Sequence, residues 1–334
     1  MRKTAADMSN HSAAESLPHG GGRLKKRKTI MNNNFRVFAS CHNHSTFSDG
    51  EYTPEVLARV AKCMGHGGII LTDHDTVKGY PFMKEACEKY GLKTMIGVEL
   101  STYHTTKDGR KLGIHLCGFD FDPDHEALRD FIPYCASIQT DRSKVLFDMA
   151  REEGTLRPGI EWEDVLADHP HHDYICNNEI FTSCMKRGIY RYDEYEDTFF
   201  KGCGFAWNKE REQKVVAITG KSYESISTAD AIARVKAAGG VPVVAHPGGI
   251  SRYAEEFLEI GVMGFETRHS MLSDEEHNFF EDFCREHRLY NMGGSDHENV
   301  LGGLLSFTDE YVTPYHTSGV DEEAFMRLYE RKLG

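Results

Sequence analysis

Apolar and polar positions fall into short alternating blocks from residue 35 onward. The run FRVFAS predicts a strand, and TPEVLARVAKCM predicts a helix. Thr53 suits its N-cap, Pro54 its first turn, and Leu57, Val60, Ala61 and Met64 share one face. GGIILTDHD predicts a buried strand running into a polar loop, and KEACEKYG a helix closed by Gly91. KTMIGVELS and LGIHLCGFDF predict two further strands. Residues 123–225 break the rhythm: DHEALRDFIPYCASIQTDRSKVLFDMAREEG is helical by period, and the polar, aromatic stretch after it has no strong strand signal. A mostly helical insertion is expected there. The rhythm resumes with STADAIARVKAAGG (helix), VPVVAHPGG (strand), EEFLEIG (helix), VMGFETRHS (strand), SDEEHNFFEDFCREHR (helix) and LYNMGGSDHEN (strand). Alternating strand and helix implies an α/β fold with a parallel sheet, and about seven such units favour a distorted barrel built from residues 35–122 and 226–334. Residues 1–34, polar and Gly-rich with basic residues from Lys25 to Lys28, read as a disordered tail.

Composition narrows the function classes. The 334-residue chain is 40% hydrophobic and 27% charged, as expected of a globular protein. Its net charge of −13 argues against a general nucleic-acid surface and thus against a stable nucleic-acid partner. Nine cysteines without a Cys-x-x-Cys pair fit reduced thiols in a cytoplasmic protein better than a disulfide framework. No stretch of about 18 apolar residues predicts a membrane span.

The candidate chemistry lies at the strand ends. The first strand leads into His42, His44 and Asp49, the second into Asp73, His74 and Asp75, and the third into Glu99. His115 sits within the fourth; His246 follows a later one, and Asp296, His297 and Glu298 follow the last. Taken singly, each has an ordinary alternative: a hydrogen-bonded histidine, a helix cap, a turn. Together they converge, because the C-terminal ends of parallel strands in a barrel share one mouth. His-x-His in extended backbone points both imidazoles to one side. Imidazole with carboxylate suits Zn, Mn or Fe, and so many ligands exceed the needs of one ion. Two-metal sites commonly serve phosphoester hydrolysis.

The motifs HNHSTFSDG, TDHDT, GVELS, GIHLCGF, AHPGG and GGSDHEN, in this order, resemble the PHP (polymerase and histidinol phosphatase) phosphoesterases over residues 36–300. The resemblance implies a distorted (β/α)7 barrel and two to three divalent metals. By motif, His42, His44, Glu99 and Asp296 would hold the first metal, Asp49 and His74 the second, and Glu99, His115 and His246 the third. The family pattern Ser-Asp-x-His reads Ser295-Asp296-His297-Glu298 here, and His297 is favoured over Glu298 to complete the second metal. His246 or His74 is expected to protonate the leaving oxygen. Arg142, Arg252 and Arg268, with Tyr253, are candidates for a second substrate phosphate. His269 is a further candidate for the pocket lining, and His169, His171 and His172 read as an exposed loop. Nucleotide-hydrolysing relatives often carry an Arg-Pro-His-like segment, which YICNNEIFTSCMKRG lacks. The resemblance therefore favours a small phosphorylated substrate, 5-phosphoribosyl 1,2-cyclic phosphate, opened and then dephosphorylated. The alternative is a nucleoside 3′,5′-bisphosphate phosphatase or 5′-3′ oligonucleotide exonuclease.

Overall fold

The computed structural model describes residues 36–269, 271–296 and 318–331. The expected tail, His297 and Glu298 lie outside them. Two sheets carry the fold. Strands β1 (Ala39–Ser40) and β2 (Gly68–Ile69) pair in parallel. Strands β3 (Gly97–Thr105), β4 (Lys111–Phe119), β5 (Val241–Val244), β6 (Gly264–Arg268) and β7 (Tyr290–Gly293) form a five-stranded sheet in that order.

The expected (β/α)7 barrel is corrected on two counts. The sheets do not close into one continuous ladder. The edges are joined by a few backbone bonds instead: Cys41 N donates to Gly293 O at 3.0 Å and Asp296 N to His42 O at 3.0 Å on one side, Asp75 N to Glu99 O at 2.8 Å and Glu99 N to Asp73 O at 3.2 Å on the other. The sheet is also mixed, since β4 runs antiparallel to both β3 and β5. The physical reason is the connection YHTTKDGRK. It is too short for a crossover helix, and a hairpin can join only antiparallel strands. Gly109 turns that hairpin with a positive φ of 83°.

Helices α1 (Pro54–Cys63) and α2 (Tyr80–Tyr90) follow β1 and β2. Thr53 caps α1 by accepting from Val56 N, Leu57 and Ala61 are buried, and Gly91 ends α2 in the left-handed conformation. Helices α3 (Phe131–Glu152), α4 (Trp162–Asp168), α5 (Asn177–Lys186) and α6 (Lys209–Thr219), with a π-helical turn at Tyr195–Lys201, fill the stretch between β4 and α7 (Thr228–Ala237). They enclose their own apolar core around Phe147, Phe181, Phe199 and Phe205. Helices α8 (Ala254–Glu259) and α9 (Asp274–Glu286) alternate with β5–β7, and α10 (Glu322–Tyr329) packs Phe325 and Leu328 against the β1 side. Ser273 and Glu276 form a capping box on α9. The main sheet core joins Val98, Leu116, Val244, Phe257 and Phe265. Among the described residues no helix is long and apolar enough to cross a membrane.

Candidate metal centre

The alternation of strand side chains explains the His-Asn-His run. His42 and His44 point into the site, while Asn43 points the other way and ties the strand ends together. Its Nδ2 donates to Ile70 O (2.8 Å) and Ser40 O (3.1 Å), and its Oδ1 accepts from Ser40 Oγ (2.9 Å) and Ser295 Oγ (3.2 Å). Two glycines allow the close approach. A Cβ on Gly50 would stand 2.4 Å from the His44 carbonyl, and one on Gly294 would stand 2.3 Å from His42 N.

Asp73 organises the loop that carries Asp49. It accepts from Ser45 N (2.6 Å), Ser45 Oγ (2.8 Å) and Ser48 Oγ (2.9 Å). Burial pushes its carboxyl up to about 6, with those donors working in the opposite direction. Asp75 is likewise an anchor, accepting from Ser101 N at 3.1 Å and Tyr223 Oη at 3.0 Å; burial pushes it up to about 7.

Glu99 is the hub, fully buried on β3. Its Oε2 lies 3.1 Å from His42 Nε2, 3.1 Å from His44 Nε2 and 3.2 Å from His74 Nδ1. Its Oε1 lies 3.0 Å from His115 Nδ1 and 3.2 Å from His246 Nε2. Burial alone would raise Glu99, but His42, His74 and His115 hold it well below the usual carboxylate range. Asp296 completes the group, 3.0 Å from His44 Nε2 and 3.4 Å from His42 Nε2. Asp49 stands 3.5 Å from His74 Nε2 and 3.4 Å from His44 Nδ1. Burial drops His74 to about 4, which keeps its ring neutral and able to donate lone pairs.

The donor set fits divalent cations. Three overlapping groups each bring one ligand atom per residue within 4.8 Å of the others: His42, His44, Glu99 and Asp296; His44, Asp49 and His74; His74, Glu99 and His115. Glu99 Oε2 and His74 Nδ1 are buried at this point with no hydrogen-bond partner. A buried group of imidazole nitrogens and carboxylate oxygens with such unpartnered atoms suits a cation.

Of the residues expected from sequence, the structure thus brings His42, His44, Asp49, His74, Glu99, His115, His246 and Asp296 together. The candidate phosphate ligands have partners of their own. Arg142 is clamped by Glu212 (2.6 Å) within the helical segment, and Arg268 pairs with Glu281 at 2.7 Å. Arg252 donates to Tyr253 Oη at 2.5 Å, and Tyr253 Oη donates to Asp108 at 3.3 Å on the β3–β4 hairpin. His169 and His172 are half-buried, in ring contact at 5.0 Å, so only His171 of that trio is exposed. Sequence reasoning passed over Glu266 and Cys117, which group with His42. A lone glutamate within the apolar run VMGFETR was the available signal.

The helical segment reaches the centre at two places. Tyr174 stacks on His74 with centroids 5.9 Å apart. Asn178, in the first turn of α5, donates to Asp49 O at 2.8 Å and accepts from Tyr195 Oη at 2.5 Å.

An α/β fold that gathers imidazoles and carboxylates around one shared glutamate has the donors of a metal-dependent hydrolase. The PHP domain model matches residues 40–255, and the chain belongs to that family. It is 28% identical over 280 residues to a 5′-3′ exoribonuclease of Salmonella typhimurium, covering 80% of this chain and 87% of the relative. It is 26% identical over 278 residues to a phosphoribosyl 1,2-cyclic phosphate 1,2-diphosphodiesterase of Eggerthella lenta, covering 78% and 94%. In fold it is similar to a protein of Bifidobacterium adolescentis assigned as a metal-dependent phosphoesterase, with a TM-score of 0.64, 24% identity and coverage of 89% and 96%.

Proposed function

We propose that this chain hydrolyses a small phosphorylated metabolite, with 5-phosphoribosyl 1,2-cyclic phosphate as the favoured substrate. One water would add across a ring P–O bond and leave a monoester and a free hydroxyl. A second would break the monoester and release inorganic phosphate. The observation that carries this reading is the convergence of Glu99 with five histidines, with Tyr174 stacked on His74.

We assign His42, His44, Glu99 and Asp296 to a first metal, Asp49, His74 and His297 to a second, and Glu99, His115 and His246 to a third, for two to three Mn, Zn or Fe ions. Bound there, such cations supply Lewis-acid polarisation of phosphoryl oxygens and acidify water. Between the two proposed proton donors, both ring nitrogens of His74 face carboxylates, at 3.2 and 3.5 Å. For His246 the carboxylate contacts are at Nε2, 3.2 Å from Glu99 and 3.9 Å from Asp296, so His246 is preferred for protonating the leaving oxygen where it is not held by the third metal. Residues 123–225 act as the insertion that lines the pocket. Arg252 is the favoured contact for a second phosphate, since its hydrogen-bond partner is a neutral phenol, whereas Arg142 and Arg268 are held by carboxylates.

A second reading, a nucleoside 3′,5′-bisphosphate phosphatase or 5′-3′ oligonucleotide exonuclease, is favoured by one observation. Phe47, beside Asp49, stacks on Phe82 (5.2 Å) and lies 5.5 Å from His172, an aromatic surface on which a base could rest. The test is phosphate release from the cyclic ribose phosphate, from nucleoside 3′,5′-bisphosphates and from short oligonucleotides, with metals per chain measured on the same sample. Faster turnover of the cyclic sugar phosphate supports the first reading and faster turnover of nucleotides the second. No hydrolysis of any of them by metal-loaded protein sinks both.

A further inference from the structure

Strand β6 places Glu266 at the floor of the centre, with no exposed surface. One of its oxygens, Oε1, lies 2.9 Å from His42 Nδ1; the other, Oε2, accepts from His246 N at 2.7 Å. A single carboxylate thus holds two histidines brought from β1 and β5, which are in different sheets. Each contact has a consequence. A carboxylate at Nδ1 favours the His42 proton there, which leaves the Nε2 lone pair for a cation shared with Glu99, His44 and Asp296. His246 has a φ of +29°, a conformation a β-carbon disfavours, and the bond from its N–H to Glu266 helps hold the backbone there.

We propose that Glu266 is the positioning residue of the metal centre, setting the His42 tautomer and the His246 backbone and thereby coupling the first and third metal groups. It touches neither substrate nor metal. The alternative, a ligand in its own right with His42 and Cys117, is disfavoured because both of its oxygens already accept hydrogen bonds. A purely structural glutamate would be indifferent to which ring nitrogen carries the proton. Glu266→Gln separates the two roles. An amide can accept from only one of the two N–H groups. Where its nitrogen faces His42 Nδ1, the proton moves to Nε2 and that ligand is lost.

This inference rests on the metal-centre reading, and its test keeps the two apart. The full chain and Glu266→Gln are each titrated with Mn2+ against a competing chelator, and thermal unfolding of the metal-free proteins is recorded alongside. The expected result is affinity about 10–100-fold weaker in the variant, with metal-free unfolding temperatures within a few degrees. Equal Mn2+ affinity in the two proteins overturns the proposal while leaving the metal centre standing. No Mn2+ binding by the unmutated chain overturns both. If the glutamine variant does not fold, histidine 15N spectra of the unmutated, Mn2+-free chain decide. A proton on His42 Nδ1 supports the proposal, and a proton on Nε2 alone overturns it.

Discussion

The strand-end cluster and the α3–α6 segment are both well buried, but opposite physics holds them. In the cluster the buried groups are charged or polar, and each is restrained by another polar group: Asn43 by Ser40 and Ile70, Asp73 by Ser45 and Ser48, His42 by Glu266. In the helical segment the buried groups are mostly apolar, with rings at the centre. Phe199 lies 5.0 Å from Phe181, 5.4 Å from Tyr190 and 4.8 Å from Phe205, and most of the charges there form exposed pairs such as Arg151–Glu161. A cluster of like acceptors is costly unless cations or protons neutralise it. An aromatic core needs nothing beyond itself. The first region is thus built for binding at the expense of stability, and the second supplies stability to the wall it presents.

The sharpest way to break this contrast is Glu99→Gln. Every histidine of the cluster within 3.2 Å of Glu99 loses its shared anion. Metal content should fall below that of the unmutated protein, and phosphate release should drop on the order of a thousandfold. Retention of the full metal complement on elemental analysis would contradict the hub role. Next in size is Phe199→Ala, a cavity in the helical core that should cost about 3–5 kcal/mol in denaturant unfolding. Mn2+ stoichiometry measured on the folded fraction should be unchanged, since no ring contact of Phe199 reaches the cluster. If metal is lost together with that core, the two regions are one unit and the comparison fails. Asp73→Ala should be smaller, about 2–3 kcal/mol for donors left without an acceptor. It should release the Asp49 loop, seen as weaker binding of one metal with the others retained.

Much of this was legible before any coordinates. Thr53 bounded its helix through its hydroxyl and Gly91 through its lack of a β-carbon, and the strand-end residues from His42 to Asp296 came together. Closure and direction of the sheet were not legible. Apolar runs such as GVELS and GIHLCGF look the same in parallel and antiparallel strands, and only the short link between them carried the hairpin signal. The surroundings of the arginines were not legible for a related reason. A guanidinium binds carboxylate as readily as phosphate, and sequence does not say that Glu212 stands beside Arg142. Glu266 was overlooked because its partners, His42 and the His246 backbone, come from distant strands.

The last predicted effect concerns the junction of the two regions. Glu179, in the first turn of α5, is fully buried and accepts from Cys176 N at 2.8 Å. Burial pushes its carboxyl up to about 8. In the unfolded chain it titrates near the ordinary glutamate value of about 4.3. Between those two values the folded state holds a proton that the unfolded state has released. Its contribution is therefore fully present below the unfolded value, shrinks as pH rises, and is gone above about 8. A glutamine retains an oxygen for the Cys176 N–H but cannot ionise. Glu179→Gln should match the parent near pH 5 and be the more stable of the two by a few degrees near pH 8. Thermal unfolding of both proteins across that range gives the answer. Parallel curves would mean that Glu179 is ionised throughout, leaving a charge at the Asp49 side of α5. A divergence that grows with pH would mean that the wall of helices meets the metal centre with a neutral acid.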